Sequence, residues 1–215
     1  MAARASRAEA RNAPAWSPAS SRAAAPPSTA PPARRRKAMS DRICLLRGVN
    51  VGGVKVPMAE LKAIAVEAGF GDPRTLLASG NLVVESDADP ADVEARLEQG
   101  IAAHFGRPID VIVRTPEQWS ALMAANPFVN EAGIDGSKLL VMVMKAGIRD
   151  GAVEALRGFT AGDERVEPVG GDLFFWHPDG LGRSKMAEKA QPRLIGVGTG
   201  RNWNTVQKLA AMVGL

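Results

Sequence analysis

Cysteine is nearly absent: Cys44 is the sole one in 215 residues. That excludes an internal disulfide and a cysteine-built zinc cluster, and it points to a reducing, cytoplasmic compartment. Tyrosine is missing altogether, and histidine occurs only at His104 and His177. Nucleophilic catalysis of the usual kind needs Ser, Cys or Thr beside a base, normally His. His104 falls late in an expected helix and His177 just past an expected strand, so both read as surface or partly packed side chains. No apolar run reaches the about 20 residues that cross a bilayer, so no membrane partner is expected. No His, Cys or carboxylate cluster has metal-ligand spacing, so neither a metal nor a cofactor is expected. Asp and Glu are too common to be diagnostic of proton transfer, which leaves an enzyme of unknown reaction as one alternative.

What is present is an uneven charge. The chain carries +4, but residues 1–40 hold eight Arg or Lys and one Glu, while the remainder has 19 basic and 22 acidic residues. The basic pI therefore describes the tail, and it is no argument that the body binds nucleic acid. Residues 1–40 are built from Ala, Pro, Arg and Ser without apolar periodicity, so they read as a disordered tail. They resemble a transit peptide in composition, and residues 34–37 form a basic run suited to a weak nucleic-acid or surface contact. An over-extended start, with Met39 the initiator, is the preferred reading because the globular pattern begins abruptly at Arg42.

The body, with 46% hydrophobic residues in the whole chain, can bury a real core. Residues 41–126 read as an α+β subdomain. The continuous apolar run of residues 43–46 is a buried strand, and a glycine-rich loop leads to a helix entered at Pro57 and stopped by Gly69. Residues 75–78 and 82–85 form a hairpin around Ser79-Gly80-Asn81. Asp89-Pro90 opens a second helix with Val93, Leu97 and Ile101 on its apolar face, and residues 109–113 are a fourth strand. The order βαββαβ predicts a ferredoxin-like antiparallel sheet with both helices on one face. Thr115 and Gln118 form a capping box at the start of a third helix. Residues 127–137 read as a linker. Residues 138–215 then repeat the order of elements, with Asp150 capping a helix, a hairpin around Gly170-Gly171, an extended piece at 194–198 and a final helix from Trp203. A sheet with helices on one face leaves the other face to be covered, by its companion sheet or in a homodimer.

Three stretches are more specific. They are Leu45-Leu46-Arg47-Gly48-Val49-Asn50-Val51-Gly52-Gly53 with Lys55-Val56-Pro57-Met58-Ala59-Glu60-Leu61, then Ser79-Gly80-Asn81, then Arg201-Asn202-Trp203-Asn204-Thr205-Val206 with Lys208-Leu209. In this order and spacing they resemble a bacterial family named domain of unknown function 1697, over residues 42–213. The resemblance implies an α+β fold of two subdomains, the first ferredoxin-like, and no assigned activity, substrate or cofactor. The family usually has two threonines before the Arg-Asn-Trp-Asn run. Here Gly198-Thr199-Gly200 precedes it, so no role for a second threonine hydroxyl carries over.

These stretches also supply the candidate site. Arg47 ends the first strand, and Asn50, Gly52 and Gly53 follow in a turn that leads to a helix N-terminus. Freed backbone N–H groups beside a guanidinium suit an anion. Thr199, Arg201, Asn202 and Asn204 cluster before or at the start of the last helix, and Ser79 and Asn81 add short polar groups. Convergence of these residues would make a pocket for a small anionic ligand such as a phosphate, nucleotide or carboxylate, held between the two halves. Each residue also has a structural reading: glycines for turns, Gly80-Asn81 for a hairpin, Asn204 with Gln207 for a cap, and the arginines for ion pairs across the halves. RNA or single-stranded DNA is a further alternative, since ferredoxin-like sheets can stack bases. The first four strands carry no aromatic residue, and this argues against it.

Overall fold

In the computed structural model, which describes residues 39–50 and 55–215, the apolar run of residues 43–46 lies within β1 (Ser40–Leu46). The expectations for residues 1–38 lie outside the described residues. β1 is apolar on successive positions because both of its faces are covered. Cys44 and Leu46 face Leu61, Ile64, Val93, Leu97 and Ile101 of α1 (Met58–Glu67) and α2 (Pro90–Phe105). Ile43 and Leu45 face the opposite way, into a second core. Burial raises the Cys44 pKa far above the usual thiol range, so its sulfur stays protonated and inert.

With β2 (Gly71–Leu76), β3 (Asn81–Ser86) and β4 (Val111–Arg114), β1 forms a wholly antiparallel sheet in the order β2-β3-β1-β4. This is the split βαβ arrangement. Gly69 and Gly106, at φ +78° and +68°, end the two helices in the left-handed conformation that glycine tolerates. The hairpin differs from expectation in one detail. Its positive φ values fall on Leu77 and Gly80, while Asn81 already belongs to β3.

Thr115 and Gln118 cap α3 (Pro116–Ala124) reciprocally, Gln118 N donating to Thr115 Oγ1 at 3.2 Å and Thr115 N to Gln118 Oε1 at 2.9 Å. The linker expected at 127–137 contains a short helix, α4 (Val129–Ile134). Phe128 is buried before it, with its N–H held by Asn126 Oδ1 at 2.9 Å, and that anchor starts the turn. The second sheet comprises β5 (Leu139–Met144), β6 (Arg165–Val169), β7 (Asp172–Trp176) and β8 (Gly198–Asn202), in the order β6-β7-β5-β8. Its crossovers are α5 (Ala152–Arg157), capped by Gly151 rather than Asp150, and a chain of short pieces. These are a 3₁₀ turn at Leu181–Arg183, α6 (Lys185–Lys189) and α7 (Pro192–Ile195). The strand order of the first half is thus repeated.

The extended piece expected at 194–198 lies further on, as β8, and includes Arg201 and Asn202. Glycine is a poor strand former, so Gly198 and Gly200 hide the strand in the sequence. Space requires them: a Cβ on Gly198 would lie 2.6 Å from Met144 Sδ, and one on Gly200 3.0 Å from Leu140 Cδ1. The final helix, α8 (Trp203–Met212), is capped by Asn202, whose Oδ1 accepts from Thr205 N at 2.9 Å. Asn204, expected as the cap, is instead exposed in the first turn.

The sheet faces turned away from the crossover helices share one core. Ile43, Leu45, Val83 and Ile112 come from the first sheet, and Val141, Val143 and Phe174 from the second. Trp119 of α3 and Trp203, Val206 and Leu209 of α8 fill the space between. The outer face of the second sheet has its own cluster, including Leu156, Phe175, Met186 and Ile195. The described residues, 39–50 and 55–215, accordingly belong to one compact unit. Among the described residues no helix is long and apolar enough to cross a membrane.

Candidate functional site

The end of β1 is one of the places where hydrogen bonds join the two halves. Leu46 N donates to Gly80 O at 2.8 Å, drawing the β2–β3 hairpin onto the strand end. A Cβ at Gly80 would come within 2.4 Å of Val49 Cγ2 and 2.8 Å of Leu46 Cβ, so only glycine allows this approach. Asn50, at φ +57°, holds the loop after β1. Its Oδ1 accepts from Val56 N at 3.0 Å, and its Nδ2 donates to Ala78 O. Gly52 and Gly53 lie outside the described residues.

Arg201 crosses to this junction from β8 and is 6% exposed. Its Nη2 donates to Leu46 O and Ser79 O, both at 2.9 Å, and to Gly80 O at 3.2 Å. Its Nη1 donates to Thr199 Oγ1 and Gly200 O, both at 2.8 Å, and its Nε donates to Asn81 Oδ1. A guanidinium has five N–H groups, so this set engages the whole fork. The acceptors are carbonyl, amide and hydroxyl oxygens, with no acid among them. Burial pushes the Arg201 pKa down to about 10, which still leaves it charged at neutral pH. Thr199 adds a hydroxyl donated to Leu46 O at 3.3 Å. Asn81 is similarly engaged, its Nδ2 donating to Leu76 O at 2.8 Å and Ser79 Oγ at 2.9 Å.

Beside this junction opens a cleft of about 800 Å³. One wall is the loop of residues 46–49 with Ser79, and the floor is the outer face of the second sheet at Leu140 and Met142. The segment from Leu181 to Gly196 forms the far wall. Four cationic residues line it, Arg47, Arg183, Lys185 and Arg201, against one acid, Glu188. Arg47 is about one-third exposed, and its one ion pair among the described residues, to Asp110 Oδ2, is long at 3.5 Å. An exposed pair of that length contributes little. Arg183 and Lys185 are exposed and have no hydrogen-bonded or ionic partner among the described residues.

Residues 39–174 match a family described as Protein of unknown function, DUF1697. The chain belongs to the DUF1697 family. The match ends before β8, so the run at residues 201–208 lies beyond it. No curated protein matches the chain. Among solved structures, the conserved bacterial protein SP0830 from Streptococcus pneumoniae is similar at 22% identity and a TM-score of 0.67. The similarity covers 82% of this chain and 99% of that one. At that identity the likeness speaks for the fold.

In this DUF1697 chain, then, Arg47, Ser79, Thr199 and Arg201 come together at one cleft. Asn50, Asn81 and Asn202 are engaged in a loop, a hairpin and a helix cap. Asn202 also borders a smaller neighbouring cavity. Sequence reasoning missed Arg183 and Lys185. Their signal was the run Gly180-Leu181-Gly182-Arg183-Ser184-Lys185, two cations among small residues, which reads as a mere lead-in to a helix.

His177 also differs from the sequence reading of a surface or partly packed side chain, for it is almost fully buried. Its Nδ1 lies 3.2 Å from Glu164 Oε1, and its Nε2 has no hydrogen-bond partner among the described residues. Burial lowers its pKa despite the raising influence of Glu164. A histidine depressed in the folded state stabilises above its unfolded pKa of about 6.5, and this stability is lost as pH falls through the folded pKa. Chemical denaturation between pH 7.5 and 5.5 should therefore show stability falling on acidification, with a shallower slope in His177→Gln. Equal slopes in the two proteins would remove His177 as the cause.

Proposed function

We propose that this protein binds a small anionic ligand in the cleft between its two halves. The observation that carries the reading is the charge of that concave wall: four cationic residues facing one carboxylate, with Arg47, Arg183 and Lys185 retaining N–H donors. Cleft volume is in the range of small-molecule sites, about 300–1,000 Å³. Arg201 serves differently, since its donors are engaged. It fixes the junction and supplies positive potential to the cleft. Both faces of the first sheet are occupied by core side chains, which favours a small ligand over RNA stacked on a sheet. A cytoplasmic setting accords with the buried thiol of Cys44.

Thermal denaturation with and without anions such as pyrophosphate, citrate and AMP tests the reading. At a hundredfold excess over Kd, a ligand specific for the folded state adds about 2.7 kcal/mol of stability. Arg47→Ala should abolish most of that gain while changing the ligand-free protein by no more than about 0.5 kcal/mol. A variant that keeps the full ligand-induced gain would refute a role for Arg47.

A further inference from the structure

A second cavity of about 360 Å³ lies beside the cleft, across Gly200. The two cavities share Ser79, Leu140, Leu181, Gly200 and Arg201 as lining. The floor of the larger cavity is aliphatic, and the smaller one sets Leu77, Leu140 and Leu181 beside polar Ser137, Lys138 and Asn202. Leu140 and Met142 rise from β5, and Ile195 and Pro192 approach from α7. The aromatic side chain on the larger cavity is Phe175, which is fully buried and offers no ring face to a base.

Two leucines stand at the second cavity in an unusual state. Leu77, from the hairpin of the first half, is 54% exposed, and Leu181, from the 3₁₀ turn of the second, is 47% exposed. Leu77 is moreover held at φ +57°, a conformation that a bulky side chain rarely adopts and that Asn or Gly would adopt without strain. An apolar side chain kept in water on a strained backbone, facing the same cavity as a second exposed leucine, points to an apolar contact made on binding.

From this we infer that the two cavities serve as one groove, which takes an anion bearing an unbranched aliphatic chain, of the alkyl phosphate or acyl carboxylate class. The inference rests on the reading of the cleft as an anion site. The head group meets Arg47, Arg183 and Lys185, and the chain runs over Leu140 towards Leu77 and Leu181. Flexible methylenes suit a floor of Leu, Met and Ile, whereas among the described lining residues no exposed aromatic ring offers a planar base a stacking face.

Isothermal titration of the full chain with inorganic phosphate, AMP, hexyl phosphate and decyl phosphate, all below micelle formation, tests it. Decyl phosphate should bind tightest, each methylene that enters the groove adding about three- to fourfold. The double variant Leu77→Asn/Leu181→Ser should weaken decyl phosphate about tenfold or more while leaving inorganic phosphate unchanged. Both substituted positions are exposed, and asparagine suits the φ of Leu77, so the variant should fold as well as the parent. AMP binding as tightly as decyl phosphate would overturn the aliphatic assignment and leave the anion site standing. No binding of any of the four would overturn both. Adsorption to phosphatidylglycerol vesicles without saturable decyl phosphate binding would overturn the groove in favour of a surface effect.

Discussion

Replacing Arg201 by alanine should cost about 3–5 kcal/mol of stability, a loss far beyond that of any surface arginine. The side chain donates to Leu46 O, Ser79 O, Gly80 O and Asn81 Oδ1 of the first half from a strand of the second. Truncation would take the guanidinium donor from Ser79 O and Asn81 Oδ1 and leave Leu46 O and Gly80 O with only Thr199 Oγ1 and Leu46 N, and each buried acceptor left unsatisfied costs about 1–3 kcal/mol. Lysine should not rescue the protein, because three donors on one point cannot reproduce a planar five-donor fork. Urea denaturation of Arg201→Ala and Arg201→Lys measures both effects. A loss below about 1 kcal/mol in the alanine variant would mean that the junction is held elsewhere.

The shared core gives the second large effect. Trp119 is fully buried between the sheets, and its Nε1 donates to Val206 O of α8 at 3.1 Å. Trp119→Ala removes a large ring and its hydrogen bond, which costs about 3–5 kcal/mol. Its location matters as much as its size. Ile43 and Leu45 of one sheet and Val141 and Phe174 of the other belong to the same cluster, so both halves should lose stability together. Hydrogen exchange should show protection falling in β1 and β5 alike, and denaturation should remain one transition. Two separated transitions, with only one of them shifted, would mean that the halves are independent.

Much of this architecture was legible in the chain because the relevant signals are local. The apolar run at residues 43–46, Pro57 and Gly69 around α1, and the Thr115–Gln118 box each state an element through nearby residues. β8 was not legible, because its glycines answer to Leu140, Met142 and Met144 on a neighbouring strand, and such contacts leave no periodic trace. The same limit governs the site. Arg47 was identified from its place after a buried strand and before a glycine loop. That Arg201 would meet carbonyl oxygens rather than acids depends on how the β2–β3 hairpin seats against β1, a tertiary fact. Arg183 and Lys185 were invisible as site residues until the segment that carries them folded over the second sheet.

A two-dimensional ¹H–¹⁵N titration of the intact protein with pyrophosphate tests the central claim most directly. Saturable shifts concentrated at the amides of Gly48, Ser79, Arg183, Lys185 and Gly200, and lost in Arg47→Ala, are the expected result. Shifts that never saturate, or that scatter over basic residues remote from the cleft such as Lys62 and Arg157, would contradict an anion site between the halves.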